Sequence, residues 1–178
     1  MAVSPTLLTG GGYLSIIAQV PPPLAERIVK WRREHGMVGA VAESCHITLL
    51  IARDTAGEGK LVQLEAALAG HGAVEVVLGE PESFQPASPV TYLPLARGAD
   101  CFRYLHSRCV EVLGKSESPF SYEPHLTLAH GLEEAALARS LRDFAGLDAQ
   151  LAGFTIDQLQ VNRYTGETWH HLADVSLR

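Results

Sequence analysis

The sequence has few cysteines, no long apolar run and no basic leader. Its three cysteines, Cys45, Cys101 and Cys109, are odd in number and form no C-x-x-C pair, which is typical of small core residues in a reducing compartment. No apolar run reaches 18 residues, so we expect no membrane-spanning helix. Residues 1–12 lack the basic n-region of a signal peptide, and we expect a flexible N-terminus and a cytoplasmic protein.

Positive charge is also scarce. The chain has 14 Lys and Arg against 20 Asp and Glu, a formal net charge of -6, which argues against strong non-specific binding to nucleic acid but allows a local phosphate site. With 178 residues, 47% of them hydrophobic and only 19% charged, the chain can build one packed domain of ordinary size.

The familiar nucleotide and metal motifs are incomplete. Residues 57–60 hint at a phosphate loop, but Asp54 replaces its first glycine and Leu61 its Ser or Thr, so no ATP site is indicated. His170 and His171 are adjacent on a predicted strand and therefore point to opposite faces, so they cannot share one metal ion. We expect no cofactor and no metal.

Hydrophobic periodicity predicts a β-α-β-α-β-β-α-β-α-β-β order, an α+β fold with mostly antiparallel sheets in a single domain over residues 13–178. The predicted strands cover residues 13–20, 38–41 with 45–52, 73–78, 89–95, 125–129, 154–164 and 168–177. The predicted helices cover residues 24–36, 61–70, 101–113 and 132–144.

The first predicted helix has apolar residues at Leu24, Ile28 and Trp31 and is rich in basic side chains. We interpret these basic side chains mainly as a solvated face, with a role in holding a polyanion as the alternative. They are Arg27, Lys30, Arg32 and Arg33.

One local sequence occurs twice, 79 residues apart. His46-Ile47-Thr48-Leu49 is repeated as His125-Leu126-Thr127-Leu128, and both tetrads lie on predicted strands. Residues i and i+2 of a strand share a face, so each tetrad directs its histidine and threonine one way and its apolar pair into a core. If the two strands are neighbours, two imidazoles and two hydroxyls converge.

This set of side chains suits phosphodiester chemistry near neutral pH. One imidazole can remove a proton from the nucleophile while the other protonates the leaving oxygen. Threonine hydroxyls are short, uncharged donors to non-bridging phosphate oxygens. The pattern predicts His46 and His125 as the acid–base pair, with Thr48 and Thr127 as phosphate donors.

At these residues the sequence resembles the two-histidine (2H) phosphoesterase superfamily, in particular its branch of 2'-5' RNA ligase-like and RNA 2',3'-cyclic phosphodiesterase proteins. Three further segments are similar to that family: residues 119–129 lead into the second tetrad, residues 90–95 form a strand before a helix, and Trp169 follows a hairpin. The resemblance implies a two-lobed α+β fold, with antiparallel sheets and outer helices related by a pseudo-twofold around a central cleft.

By the same resemblance, opening a 2',3'-cyclic phosphate to a 2'-phosphate would use His125 to activate water and His46 to protonate the 3'-oxygen; cleavage of the other ester bond would reverse these roles. Many bacterial members have an arginine two residues after the second tetrad, where this chain has His130. Histidine lacks the fork and permanent charge of a guanidinium. Arg53 or Arg163 are the candidates to supply that charge.

Substrate contacts beyond the tetrads are predicted at Tyr122, His130, Arg53 and Tyr92. The aromatic rings of Tyr92, Phe120 and Tyr122 could stack on a base, with packing at the core or rim as the other interpretation.

The predicted activity is metal-independent hydrolysis of a 2',3'-cyclic phosphate, on an RNA end or a small cyclic nucleotide, by a monomer. The resemblance also implies a 2'-5' RNA ligase activity of the same site, but with no energy donor we expect hydrolysis to prevail in water. The alternatives are a non-catalytic RNA- or nucleotide-binding module on the same fold and a metal-dependent hydrolase using the eight histidines.

Overall fold

The fold is taken from a computed structural model that describes residues 12–37, 39–54, 59–116, 118 and 120–178. Its strands are β1 (Tyr13–Gln19), β2 (His46–Arg53), β3 (Val74–Leu78), β4 (Glu82–Ser83), β5 (Val90–Arg97), β6 (His125–His130), β7 (Gly153–Ile156), β8 (Gln158–Tyr164) and β9 (Trp169–Ser176). Its helices are α1 (Pro22–Glu34), α2 (Gly59–Leu68), α3 (Ala99–Leu113), α4 (Glu134–Asp143) and α5 (Ala149–Ala152), with a 3₁₀ turn at Ala42–Ser44.

The strands form one sheet in the order β7-β3-β5-β6-β2-β1-β8-β9, and β4 lies beside β5. Every pairing in the described part is antiparallel. The order places β6 and β2, the two strands that carry the tetrads, at the centre, with three further strands on each side. This arrangement confirms the predicted α+β fold with antiparallel sheets.

The helices divide between the two halves of the sheet. Helices α1, α4 and α5 pack on the half that contains β3, β5, β6 and β7. Helices α2 and α3 pack against each other, and α3 also covers β2. Each tetrad strand therefore has helices on one face, and the described helices leave the opposite face of the central strands for a site.

Apolar side chains that alternate along the strands meet those of the helices to form the core. In β3, Val74, Val76 and Leu78 are buried while the residues between them are exposed, the pattern of a sheet covered on one face. Helix α1 starts within a run of three prolines: Pro21 is its N-cap, and Pro22 and Pro23 occupy the first turn, which the fixed φ of proline suits. The helix buries Leu24 and Ile28.

Position 98, between β5 and α3, requires glycine because of its backbone conformation and the close approach of β3. Its φ is +91°, and a Cβ at this position would lie 2.8 Å from the carbonyl oxygen of Glu75 on the neighbouring β3. Any other residue would be strained and would push the two strands apart, so the turn into α3 depends on glycine.

The sequence-based strand boundaries are wrong in two places. No strand forms at residues 39–41 of the predicted 38–41 segment; the chain there leads into the 3₁₀ turn at Ala42–Ser44. The predicted strand 154–164 is divided at Asp157, because β7 pairs with β3 while β8 pairs with β1, at opposite ends of the sheet. The prediction also lacks the short elements β4 and α5.

Residues 1–11, most of the predicted N-terminal segment, lie outside the described residues. None of the helices in the described ranges combines the length and the apolar character needed to cross a membrane.

Candidate active site

The two tetrads meet at the centre of the sheet. Ile47 of β2 is paired with Leu126 of β6 in antiparallel orientation. Continuing this register places His46 opposite Thr127 and Thr48 opposite His125. In this register each histidine lies on the same side of the Ile47–Leu126 pair as the threonine of the other tetrad, and a local two-fold relation exchanges the two sets.

These four side chains line one cavity of about 660 Å³ on the open face of the sheet. The alternating residues Ile47, Leu49, Leu126 and Leu128 are at most 1% exposed and belong to the core on the other face. The structure thus brings all four tetrad side chains together, as the spacing of residues i and i+2 predicts.

Both histidines are oriented by a backbone carbonyl. The Nδ1 of His46 lies 2.9 Å from the Glu43 oxygen, and the Nδ1 of His125 lies 2.6 Å from the Glu123 oxygen. A carbonyl can only accept, so the proton of each neutral ring is on Nδ1 and the lone pair is on Nε2. Each ring can accept a proton at Nε2 when neutral and return it when charged.

Burial disfavours the charged form of both imidazoles. It lowers the pKa of His46, and the positive charge of Arg32 lowers it further. Burial also lowers the pKa of His125, to about 4, while the hydrogen bond to Glu123 opposes this change. Without a bound anion, His125 is therefore neutral at pH 7.

An aromatic cluster supports the ring of His125. The rings of Phe84 and Tyr92 are stacked with centroids 3.9 Å apart, and both meet His125 edge-on, at 5.0 and 5.3 Å. Tyr92 is 6% exposed, and its hydroxyl donates to Glu82 at 2.9 Å. Burial and this carboxylate raise the pKa of Tyr92 to about 12. The structure therefore places Tyr92 behind His125 and outside the residues that line the cavity.

Tyr122 supports the first tetrad from the side. Its hydroxyl donates to the Thr48 carbonyl at 3.1 Å, and its ring stacks on His106 at 4.0 Å. It lines a second, smaller cavity of about 130 Å³, together with Thr48, Phe84 and Phe120.

Arg32 of α1 joins the two tetrad strands and is 2% exposed, so its assignment to a solvated face is wrong. Its Nε donates to the Leu128 carbonyl at 2.8 Å, and its Nη2 to that of Thr127 at 2.6 Å. Its Nη1 donates to the Ser44 hydroxyl at 2.8 Å, just before the first tetrad. Among the described residues, no carboxylate forms an ion pair with this guanidinium. Its positive charge beside the cavity is therefore not neutralised by a nearby acidic side chain.

The sequence contains a pattern from which the burial of Arg32 could have been inferred. Arg32 continues the spacing of Leu24 and Ile28 at i, i+4 and i+8, on the face of the helix that is buried. A charged residue at a buried position of an amphipathic helix has two explanations. Either its aliphatic part packs on the protein while the charged group reaches solvent, or the charged group is buried and hydrogen-bonded in the interior.

The other candidate contacts are divided between the cavity and the rest of the surface. His130, at the end of β6, lines the cavity. Arg53 lies over the ring of Tyr13, with its guanidinium carbon 5.4 Å from the ring centroid, and is not among the residues that line the cavity. The Arg163 Nε donates to Asp54 at 2.6 Å, also away from the cavity.

The described part of the chain contains no group of three or more His, Cys, Asp or Glu side chains placed to hold one metal ion. His171 lines the cavity, whereas His170, on the other face of β9, makes a 3.0 Å contact with the Thr168 hydroxyl.

A family model described as the 2'-5' RNA ligase superfamily matches residues 20–168. No curated protein matches the sequence.

Solved structures match the fold over nearly the whole chain. E. coli LigT in complex with 3'-AMP has a TM-score of 0.65 at 17% identity, covering 94% of this chain and 99% of LigT. TT0787 of Thermus thermophilus has a TM-score of 0.64 at 15% identity, covering 93% and 98% of the two chains. Usb1 of Kluyveromyces marxianus has a TM-score of 0.51 at 13% identity, covering 93% and 97%.

Proposed function

The chain belongs to the 2'-5' RNA ligase superfamily of 2H phosphoesterases, and from this membership we propose that it is a metal-independent phosphodiesterase that hydrolyses 2',3'-cyclic phosphates. The substrate is an RNA end or a small cyclic nucleotide. The observation that carries the proposal is the convergence of His46, Thr48, His125 and Thr127 on one cavity face from two adjacent strands.

The first step is binding of the phosphodiester anion between the tetrads. Thr48 and Thr127 donate hydrogen bonds to its two non-bridging oxygens, one from each strand. The charge of Arg32 beside the cavity favours an anion there, although the chain as a whole is negative.

The bound anion also prepares the general acid. Both imidazoles have lowered pKa values in the absence of a ligand, so an acid must gain its proton when substrate binds. A negative phosphate near Nε2 favours the imidazolium and raises its pKa. The substrate thus selects the protonation state in which one ring is charged and the other neutral.

For opening to a 2'-phosphate, His125 accepts a proton from water as the water oxygen attacks phosphorus. His46 gives a proton to the departing 3'-oxygen, so the P–O3' bond breaks as the new P–O bond forms. Burial keeps the ring of His125 neutral before substrate binds, and the neutral ring is the form that can accept a proton. A 5'-hydroxyl in place of water would give a 2'-5' linkage from the same geometry.

The size of the cavity and the comparisons support a nucleotide-sized substrate. Pockets of a few hundred Å³ hold whole small-molecule ligands, and this cavity falls in that range. LigT has been solved with 3'-AMP, NADP+ and ATP.

The proposal is tested by hydrolysis of 2',3'-cyclic nucleotides and of a short RNA with a 2',3'-cyclic phosphate end, in excess EDTA. We expect turnover by the wild type, and a fall of at least about a hundredfold for His46→Ala and His125→Ala, since general acid–base catalysis contributes 10²–10⁴. His170→Ala, on the other face of β9, is the matched control and should be unaffected.

Activity that requires a metal ion, or that survives either tetrad substitution, would contradict the proposal. Nucleotide binding without turnover would instead favour the non-catalytic binding module. The position of the phosphate in the product decides the acid and base roles: a 2'-phosphate agrees with His46 as acid, and a 3'-phosphate reverses the assignment.

A further inference from the structure

Beyond the tetrads, the cavity floor extends across the half of the sheet formed by β1, β8 and β9. Ile17 of β1 is paired with Thr48 on one side and with Gln160 of β8 on the other. Neighbouring strands are about 4.8 Å apart, so Gln160 lies roughly 10 Å across the sheet from Thr48. The floor therefore continues outward from the phosphate-binding threonine.

A second row of residues lies one step further along the same strands. Ser15 of β1 is paired with Asn162 of β8, and Asn162 is paired with His171 of β9. All three line the same cavity as the tetrad histidines. Trp169 also lines it, so this part of the floor has an indole at its edge.

The amide and hydroxyl groups of this floor carry no charge, whereas His171 lies with its Nε2 3.5 Å from the Asp174 carboxylate. Within the described structure, no side-chain hydrogen bond is found for Asn162 or for Ser15. The Gln160 Oε1 accepts from Gln19 at 3.2 Å, which leaves the two N–H donors of Gln160. An amide has a donor and an acceptor side by side, which matches the edge of a nucleobase, and no Lys or Arg of this floor lines the cavity to attract a second phosphate.

The indole of Trp169 adds a stacking surface. Trp169 is half-buried, and its ring is tilted against Tyr164, with centroids 5.3 Å apart. Aromatic side chains bind bases by stacking without selecting among them.

We propose that Gln160, Asn162 and Trp169 form a nucleobase subsite, which seats the base of the substrate over β8 and β9 while its phosphate lies between the tetrads. This inference rests on the proposed function and adds where the base binds. The smaller cavity beside Thr48 is the competing position; it offers aromatic rings and hydroxyls, but its volume is only about 130 Å³, against about 660 Å³ for the cavity that contains the tetrads.

The test compares substrates with and without a base. The probes are 2',3'-cyclic AMP, 2',3'-cyclic CMP and the 2,3-cyclic phosphate of 1-O-methylribose, which has the same reacting group and no base. For Asn162→Ala and Gln160→Ala we expect KM for the nucleotides to rise about tenfold, the effect of losing about one hydrogen bond. For the base-less probe we expect KM and kcat to stay within twofold of the wild type.

Two control variants locate the effect. Gln158→Ala removes the same side chain from an exposed position of β8 outside the cavity and should change nothing. Phe120→Ala probes the smaller cavity. A rise in KM for nucleotides in Phe120→Ala, with none in Asn162→Ala, would overturn the proposal and place the base beside Phe120.

Tryptophan fluorescence gives a second readout that is independent of turnover. The chain has two tryptophans, and Trp31 is 8% exposed in the core, so a ligand at the floor changes mainly the emission of Trp169. We expect AMP to change the emission, inorganic phosphate to leave it unaltered, and Trp169→Phe to abolish the response. An equal response to AMP and phosphate would contradict base stacking.

Failure of this inference is distinguishable from failure of the proposed function. If the wild type hydrolyses neither nucleotides nor the base-less probe, the proposed function is wrong. If it hydrolyses nucleotides and neither Asn162→Ala nor Gln160→Ala changes KM, the function stands and the subsite is wrong.

Discussion

Ile47 and Leu126 are paired at the boundary between the two halves of the sheet, and each directly follows the histidine of its tetrad. Because the strands are antiparallel, this single pairing puts each histidine on the same side of the pair as the other tetrad's threonine. In the proposed function, a phosphate between them would meet one acid–base group and one hydroxyl from each half.

That boundary depends on more than strand pairing. Ile47 and Leu126 are the only pair found between β2 and β6 in the described structure, whereas β1 and β2 are paired along seven positions. Arg32 donates hydrogen bonds to the backbone of β6 and to Ser44 just before β2, so it connects the two halves of the sheet at their boundary. We infer that Arg32 positions the tetrads relative to each other.

Removing Arg32 should lower kcat more than it raises KM. Arg32→Met leaves the carbonyls of Thr127 and Leu128 without this donor, and each buried polar group left unsatisfied costs about 1–3 kcal/mol. A misplacement of about 1 Å in a catalytic pair costs about a hundredfold in rate, so we expect a fall in kcat of that order. Steady-state kinetics and thermal unfolding measure both effects.

Two variants separate positioning from simple loss of charge or folding. Arg32→Lys keeps the charge but donates from a single nitrogen instead of the three that Arg32 uses, and should recover part of kcat. Lys30→Met removes one charge from an exposed position of the same helix and should have no effect. An Arg32→Met protein that is stable and fully active would show that the two tetrads keep their relative position without this residue.

The threonine hydroxyls should act on the reaction rather than on folding. Thr48→Val and Thr127→Val remove one phosphate donor each and keep the side-chain shape. Loss of one preorganised donor to a reacting oxyanion costs about 10²–10³ in kcat. Thr155→Val, at an exposed position of β7, is the control for the substitution itself. Unchanged kinetics in both tetrad variants would remove the hydroxyls from the mechanism.

The maximum of kcat/KM should lie on the acid side of pH 6.5. This parameter reports the free enzyme, in which the productive form has one proton on the histidine pair. The pKa values of His46 and His125 are both below the ordinary value, so their midpoint is below it as well. A pH–rate profile with a cyclic nucleotide measures this position. A maximum near pH 8 would contradict it.

Stability should fall as the pH is lowered from neutral to about 4, in part because of His125. Its folded-state pKa is about 4, against about 6.5 in the unfolded chain, so the unfolded state binds more protons between these values. The contribution is complete above pH 6.5, is lost as the pH falls toward 4, and amounts to about 3 kcal/mol at most.

Chemical denaturation of wild type and His125→Asn at pH 7 and pH 4.5 measures this term as a difference in pH dependence. We expect the free energy of unfolding of the variant to change less between the two pH values. His170→Asn, from an exposed position, should keep the wild-type pH dependence. Parallel behaviour of wild type and His125→Asn would mean that His125 does not carry the effect.

Several features of the site were determined by the sequence alone. The alternation of polar and apolar residues in each tetrad is a local property with period two, so it predicts the face to which His46 and Thr48 point whatever strand lies beside them. The fold class followed in the same way from the periods of the strands and helices.

Other features were decided by tertiary structure, because they depend on residues far apart in the chain. The sequence predicts one strand over residues 154–164. The structure has two strands there, separated at Asp157, because β7 pairs with β3 and β8 pairs with β1. Arg32 looks like a surface cation from composition, and is buried because the carbonyls of Thr127 and Leu128, some 95 residues away, satisfy its donors.

The same distinction applies to the cavity. The sequence alone predicted which side chains would carry the proposed chemistry, since imidazole and hydroxyl groups on one strand face are a local pattern. The pairing of Ile47 with Leu126, and the rows that bring Ser15 and Asn162 onto the same floor, come from non-local strand register, which no local window of sequence contains.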